Sequence, residues 1–228
     1  LLSVLYPHYL RPFPSCSIAH FEPAGSSLSA AALLPRGTEL QSRPIKGAVC
    51  KFRTAWDVRL PPLAIDGLVF DPLAVAPGEV RLPIGCQARL SFSLALQGEG
   101  EQAGLGACGR VRFYIDAEPS VASALRDALF LRCLKVFAEG EDGRWLPVRD
   151  GFVGEVGFAP DESLIDMPEA AHGAYRHLTE YFCFPEKFNF FDLDLAALPA
   201  GLRAAPRLHF HFALGKLRAD SDASRLLQ

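Results

Sequence analysis

The stretch of sequence that says most about the fold is YRHLTEYFCFPEKFNFFDLD, at residues 175–194. Within it, the eleven residues 181–191 carry six aromatic side chains. Aromatic rings bury large apolar areas, so this density predicts a segment at the centre of a core or of a protein interface. The aromatic segment and its Pro-Glu-Lys centre comprise Tyr181, Phe182, Phe184, Pro185, Glu186, Lys187, Phe188, Phe190 and Phe191.

The apolar periodicity of this stretch changes at its proline. Before it, Ala174, Leu178 and Phe182 recur every four residues, as on one face of a helix. After it, Phe188 and Phe190 alternate with their neighbours, as in a strand. The sequence therefore predicts a helix that runs into a buried strand, with the aromatic segment mainly inside the core.

Two charged residues inside the aromatic segment, Glu186 and Lys187, allow two interpretations. A corner between a helix and a strand is usually exposed, so both side chains can face water. Alternatively, they form ion pairs with another segment or subunit, because a charge among buried rings is unfavourable unless it is paired. The sequence leaves both interpretations open.

The composition is that of a globular chain with no electrostatic preference for nucleic acid. The 228 residues are 50% hydrophobic, which is enough to bury a core in one domain or two. The 23 Lys and Arg against 26 Asp and Glu give a net charge of -3, so neither nucleic acid nor an anionic membrane is indicated as a partner. No apolar run of 18 residues is available to span a bilayer.

The ends and the cysteines of the chain suggest an internal fragment of a cytoplasmic protein. The chain starts with Leu1 and its one methionine is Met167, as expected of a piece of a longer protein. No signal peptide is recognisable. The six cysteines are widely spaced and form no metal-binding motif, so we expect small buried side chains in a reducing compartment.

Short alternating segments dominate the chain and indicate a β-rich fold. The clearest runs are residues 50–60, 89–97, 110–116 and 208–214. Weaker strand candidates are residues 17–21, 39–43, 63–70, 134–139, 145–148 and 153–158, and the turn at residues 140–143 is predicted to close a hairpin. Alternation on one side only favours antiparallel sheets packed as a sandwich.

Two helices are predicted among these strands. One begins near Pro119 and continues to about Arg132, and the other is the helix that ends at Pro185. We therefore predict a mainly β fold with a few helices (α+β), in an antiparallel β-sandwich. Residues 1–118 are expected to form a β-rich lobe with an N-terminal docking segment, and residues 119–228 an α+β lobe that completes or follows the sandwich. A single domain is the alternative, and residues 25–35 are compatible with a loop, a linker or a short helix.

One glycine motif resembles a cofactor site but has the wrong context. GLGACG at residues 104–109 matches the GxGxxG pattern of dinucleotide-binding loops. Such a loop needs a strand before it and a helix after it, whereas here a polar loop precedes and a predicted strand follows. A hairpin turn is therefore favoured, and no cofactor is expected.

The other candidate groups also fall short of an active site. His209 and His211 share one strand face, a geometry that can bind zinc, but no third ligand is nearby and both are expected on the wetter face. Carboxylate pairs are expected at the solvated surface or at hydrogen-bonded loop ends. These pairs are Asp161 with Glu162 and Asp192 with Asp194. We expect no catalytic residue and no metal.

Four blocks of the sequence resemble the TssF family of type VI secretion baseplate subunits, also called VasA or ImpG. They are LYPHYLRPFPSCSIAHFEP (residues 5–23), RGTELQSRPIKGAVCKFRTAWDVRLPPL (36–63), GRVRFYIDAE (109–118) and GAYRHLTEYFCFPEKFNFFDLDL (173–195). The blocks follow the order of the family and span most of the chain. The YFxFPEKFxFFDL signature in the last block is the most specific part of the resemblance.

The resemblance implies a structural role rather than an enzymatic one. In the family, two TssF copies and one TssG form a wedge that binds TssK and TssE, and six wedges surround the VgrG hub to seed polymerisation of the contractile sheath. It implies a baseplate-wedge-like fold in a cytoplasmic protein that is recruited to the inner-membrane-anchored secretion complex without inserting into the membrane.

Two other functions are compatible with the residues. A carbohydrate- or ligand-binding β-sandwich would use exposed rings such as Tyr114 and Trp145. A metal-dependent hydrolase would use His209 and His211. Both alternatives depend on side chains that the fold must bring to the surface.

Overall fold

The computed structural model describes residues 10, 12–21, 32–97, 104–167 and 172–228. These residues form twelve strands and three α-helices, joined by turns and short 3-10 helices. The strands are β1 (Ala32–Leu34), β2 (Glu39–Gln41), β3 (Lys51–Arg53), β4 (Val58–Leu60), β5 (Leu63–Asp71), β6 (Cys86–Leu96), β7 (Arg110–Tyr114), β8 (Cys133–Glu139), β9 (Trp145–Pro147), β10 (Val153–Glu155), β11 (Phe190–Asp194) and β12 (Arg207–Gly215). The helices are α1 (Pro119–Asp127), α2 (Gly173–Cys183) and α3 (Asp222–Leu227).

The largest sheet has five antiparallel strands in the order β5-β6-β12-β8-β9. Leu208, Phe210 and Phe212 of β12 are fully buried on one face, as predicted, but His211 and Ala213 on the opposite face are buried as well. Phe92 of the neighbouring strand β6 packs against both phenylalanines, at ring-centroid distances of 5.8 and 5.5 Å. The predicted turn at residues 140–143 connects β8 to β9.

A second antiparallel sheet, in the order β10-β11-β7, shares the same apolar core. Phe152, which precedes β10, stacks on Phe210 at 5.3 Å, and Leu193 of β11 is fully buried. The prediction of a mainly β, antiparallel fold with a few helices is therefore confirmed. Both sheets combine strands from before and after residue 118.

The N-terminal third differs from the sequence prediction. Residues 50–60 were expected to form one strand, but β3 pairs with β2 and β4 pairs with β1. The break occurs because the hydroxyl of Thr54 donates to the Pro35 carbonyl and the Asp57 carboxylate accepts from the Arg36 amide, at 2.7 Å each. Residues 17–21 contain no strand. Of residues 25–35, the described part is a strand, β1, followed by Pro35, and residues 25–31 lie outside the described residues.

The remaining helices and the cysteines complete the description. The first predicted helix exists as α1, and it continues into a π-helical turn at Ala128–Arg132. None of the described helices has the length and apolarity needed to cross a membrane. All six cysteines are free thiols; Cys50 and Cys183 are exposed and the other four are half-buried, so the expectation of buried cysteines is wrong.

Candidate interaction surface

Helix α2 is packed with its polar side chains towards the protein. Arg176 and Glu180, one turn apart, are 8% and 0% exposed, whereas Leu178 and Phe182 are 55% and 78% exposed. The prediction that the apolar face of this helix is buried is therefore wrong, and the two faces are exchanged. The exposed face carries four large side chains, which we call the aromatic ridge: Tyr175, Leu178, Tyr181 and Phe182.

A buried ion pair explains the orientation of α2. The ammonium of Lys187 donates to one carboxylate oxygen of Glu180, and both side chains are completely buried. The other oxygen of Glu180 accepts a hydrogen bond from the Leu164 amide at 2.7 Å. Burial lowers the pKa of Lys187, and the Glu180 carboxylate opposes that shift. Lys187 thus follows the ion-pair interpretation, whereas Glu186 faces water.

Arg176 anchors the same face of α2 to the preceding loop. Its guanidinium donates to the carbonyl oxygens of Phe158 at 2.6 Å, Ala159 at 3.1 Å and Pro160 at 3.3 Å. Three carbonyl acceptors hold the charge without a carboxylate partner. The inner face of the helix is therefore fixed at two points one turn apart, Arg176 and Glu180.

A second set of charges ties the loop to the smaller sheet. Arg112 of β7 donates twice to Asp192 of β11, at 2.8 and 3.0 Å, and once to Glu162 at 2.6 Å. The other oxygen of Glu162 accepts from the amides of Gly157 at 2.7 Å and Ala159 at 3.2 Å. The Glu162 carboxylate was expected at the surface or at a hydrogen-bonded loop end, and it caps a loop end. Asp192 lies buried within a strand, so the surface expectation is wrong for it.

The aromatic segment divides between core and surface. Phe188 is buried below the ridge, 5.9 Å from the Tyr181 ring and 5.1 Å from the Phe158 ring. Phe190 contacts Trp56 and Tyr114, and Phe191 stacks on Phe113. Phe184 is half-buried and Pro185 is exposed. The prediction of a strand from Phe188 is wrong by two residues, because a 3-10 helix at Pro185–Asn189 precedes β11.

The composition of the ridge resembles that of the centre of a protein interface. Arg176 and Glu180 are the only Lys, Arg, Asp or Glu residues of α2, and both are buried, so the exposed face of the helix carries no residue of these types. Depletion of charge and enrichment in tyrosine and phenylalanine characterise the centres of protein interfaces. An exposed apolar patch of this kind marks a binding surface more often than a chance feature.

The two histidines of β12 lie in different environments. His209 is exposed and its Nδ1 lies 2.8 Å from the Ser93 hydroxyl. His211 is buried, contrary to expectation, because its Nε2 bonds to Glu139 at 2.6 Å and its ring stacks on Trp145 at 3.8 Å. Burial lowers the pKa of His211, with Glu139 acting in the opposite direction. Among the described residues, no group of three or more His, Cys, Asp or Glu is placed to hold a metal ion.

Trp145 and the GLGACG motif, two other candidates from the sequence, have structural roles. Trp145 is buried beside Phe137, so it is not the exposed ring that a carbohydrate site would need. In GLGACG, a 3-10 helix at Leu105–Cys108 leads into β7, so no helix N-terminus faces a phosphate site. Gly104 passes so close to Ala204 that an added Cβ would lie 2.3 Å from its Cα. The first glycine of the motif therefore lets the backbone at residue 104 pack directly against the backbone at residue 204.

Comparison with known proteins gives consistent results. Residues 1–226 match the family model described as "Type VI secretion system, TssF". The type VI secretion system component TssF1 of Pseudomonas aeruginosa is 28% identical over 205 residues, which cover 85% of this chain and 32% of that protein. A chain in the cryo-electron microscopy structure of the type VI secretion system TssK-TssF-TssG baseplate subcomplex matches with a TM-score of 0.72 and 28% identity, over 96% of this chain and 40% of that chain. The present chain thus spans less than half the length of either relative.

Proposed function

This chain belongs to the TssF family of the type VI secretion system, and from that membership we propose that it is part of a structural subunit of the baseplate. The similarity to a chain of the TssK-TssF-TssG subcomplex supports this proposal. A single core shared by two sheets suits a rigid building block, and the ridge supplies a surface for assembly. The observation that carries the proposal is the family match over residues 1–226, and the exposed face of α2, which has no Lys, Arg, Asp or Glu, supports the assembly role.

The proposal includes the finer features that the family implies. The partners are TssG, TssK, TssE, the VgrG hub and a second TssF copy, in a wedge that seeds sheath polymerisation. The role is non-enzymatic, in the cytoplasm at the inner-membrane-anchored secretion complex. We assign the aromatic ridge to the contact with TssG, because an uncharged, ring-rich surface suits a permanent partner.

Co-purification of the full-length protein with TssG tests this function. We expect the wild-type protein and TssG to elute together, and Phe182→Asp to weaken the association at least about tenfold, since it places a charge at the ridge centre. Leu73→Asp is the matched control, because Leu73 is similarly exposed but lies outside α2. All three proteins should melt at the same temperature, as exposed substitutions rarely change stability by more than about 0.5 kcal/mol.

Two different outcomes test the proposed baseplate function and the assignment of the ridge to TssG separately. A full-length protein that stays monodisperse and never associates with TssG overturns the proposed function. Normal co-elution of Phe182→Asp with TssG leaves the baseplate role intact and rejects the ridge as the contact.

A further inference from the structure

A second apolar patch lies at one end of the central sheet. Ile84, Leu131 and Leu134 are 102%, 76% and 44% exposed, and we call them the sheet-end patch. Leu131 precedes Arg132, which bonds to the Lys216 carbonyl, and Ile84 precedes Gly85. Leu134 and Gly85 both lie beside Gly215, the last residue of β12. A Cβ built there would meet Leu134 Cδ1 at 2.8 Å and the Gly85 carbonyl at 3.2 Å.

Ile84 reaches solvent at the tip of a tight turn. The Cys86 amide donates to the Pro83 carbonyl at 3.1 Å, which places Ile84 and Gly85 at the two central positions. Gly85 has a φ of 86°, the left-handed value that the third position of a type II turn requires. The turn explains the glycine but does not require an aliphatic residue at position 84, so the exposed isoleucine has no role in local structure.

Two backbone irregularities expose the leucines. Leu131 lies in the π-helical turn Ala128–Arg132 that ends the first helix. Leu134 is a bulged residue, because β12 pairs Ala213 with Lys135 and Leu214 with Cys133, and skips it. Bulges and π-helical turns re-aim side chains and are frequent at functional sites. Three separate local features thus expose aliphatic side chains close to one end of the central sheet.

The rim of the sheet-end patch is positively charged. The Arg132 guanidinium donates to the Lys216 carbonyl, which holds the two residues together beside Gly215. Lys216 is exposed, with a φ of 53°. Within the described parts of the chain, neither cation forms an ion pair. The surface therefore combines aliphatic anchors with two cations that are free to meet carboxylates.

We propose that the sheet-end patch is a second docking surface, which binds an apolar segment of a partner protein flanked by acidic residues. Complementary charge at the rim would orient the segment and exclude basic competitors. An anionic membrane suits the patch less well, because membrane-binding clusters usually contain about four to eight cations. The assignment rests on the proposed baseplate function, which supplies TssG and TssK as the proteins to test.

Binding of the full-length protein to purified TssG and to purified TssK tests the second surface. We expect Leu131→Asp to weaken binding to one of these subunits at least about tenfold, and Lys216→Glu to weaken it about three- to tenfold. The loss from Lys216→Glu should shrink in 0.5 M salt, since screening reduces exposed charge interactions. Leu68→Asp is the control, because Leu68 is 59% exposed on β5, away from Gly215.

Two further measurements make each outcome decisive. Ile84→Asp, at a turn tip that needs no side-chain packing, should repeat the effect if Leu131→Asp is poorly folded. Normal affinity of Ile84→Asp and Lys216→Glu for both subunits overturns the inference, whereas a wild-type protein that binds neither subunit refutes the baseplate function itself. Retention on vesicles with about 30% phosphatidylserine that is lost in Ile84→Asp would assign the patch to lipid and overturn the protein partner.

Discussion

Strand β12 buries the large apolar side chains of its amphipathic sequence, whereas helix α2 exposes those of its own. In β12, Phe210 and Phe212 face the core. In α2, Arg176 and Glu180 face the protein, while Leu178 and Phe182 face solvent. Periodicity therefore identifies two faces of an element but does not say which one is inside.

The physical difference is whether buried polar groups find partners. Glu180 meets Lys187 and the Leu164 amide, and Arg176 meets three carbonyl oxygens. A buried ion pair with such partners is tolerated, but its desolvation cancels much of its attraction, so it adds little net stability. The burial of the charged face of α2 therefore contributes little net stability, and it leaves the aromatic ridge exposed.

The largest expected loss of stability comes from the core of β12. Phe210→Ala removes a fully buried ring that packs on Phe92 and Phe152, so we expect the free energy of unfolding to fall by about 3–5 kcal/mol. Urea denaturation measures this directly. A loss below about 1 kcal/mol would show that the shared core is not the main source of stability.

Breaking the ion pair of α2 should cost nearly as much, for a different reason. Lys187→Met leaves the Glu180 carboxylate buried without a cation, which typically costs about 3–5 kcal/mol. The double variant Glu180→Leu, Lys187→Met removes both charges and should recover most of that loss. If the double variant is less stable than the single one, the pair contributes net stability and the contrast with β12 weakens.

Two rings of the aromatic segment should differ although they are two residues apart. Phe188→Ala deletes a buried ring and should cost about 3 kcal/mol, whereas Phe190→Ala deletes a half-buried ring and should cost about 1–2 kcal/mol. The sequence alone predicts about 3–5 kcal/mol for both, because it places both inside the core. Equal losses in thermal and urea unfolding would support the sequence interpretation over the structure.

The smallest expected effect is a pH dependence from His211. Its folded pKa lies below the ordinary histidine value of about 6.5, so its contribution to stability is complete above that pH and is lost as pH falls through the folded pKa. We therefore expect the free energy of unfolding to fall as the pH is lowered from 7 to 5, because the unfolded chain binds a proton at this histidine more readily than the folded chain does. His211→Gln keeps a hydrogen-bond donor for Glu139 without titrating, and should flatten this drop. An unchanged slope in His211→Gln would assign the pH dependence to other groups.

Sequence reasoning located most elements and failed where contacts are distant. The strands at residues 89–97 and 208–214, the hairpin turn and the helix before Pro185 follow from local periodicity and turn residues. The division of residues 50–60 depends on Pro35 and Arg36, far along the chain, so alternation cannot predict it. The bulge at Leu134 depends in the same way on the register of β12.

Only part of the candidate surface could be predicted from the sequence. The density of aromatic rings identified the segment. The charge of Lys187 among those rings also suggested an ion pair as one of two interpretations. A signal for the inverted helix did exist: Arg176, Glu180 and Lys187 recur at intervals of four and seven, as one helical face does. Nothing in that spacing shows that Leu164 and the loop carbonyls would supply the partners.

The sequence by itself determined the family, the antiparallel β-rich class and the position of the helix-proline-strand corner, because each depends on residue types at short spacing. Tertiary structure alone decided which side of that corner faces solvent. Burial of Glu180 and Arg176 is possible only because Lys187, the Leu164 amide and the Phe158 carbonyl satisfy their charges, and the exposure of the rings is the consequence.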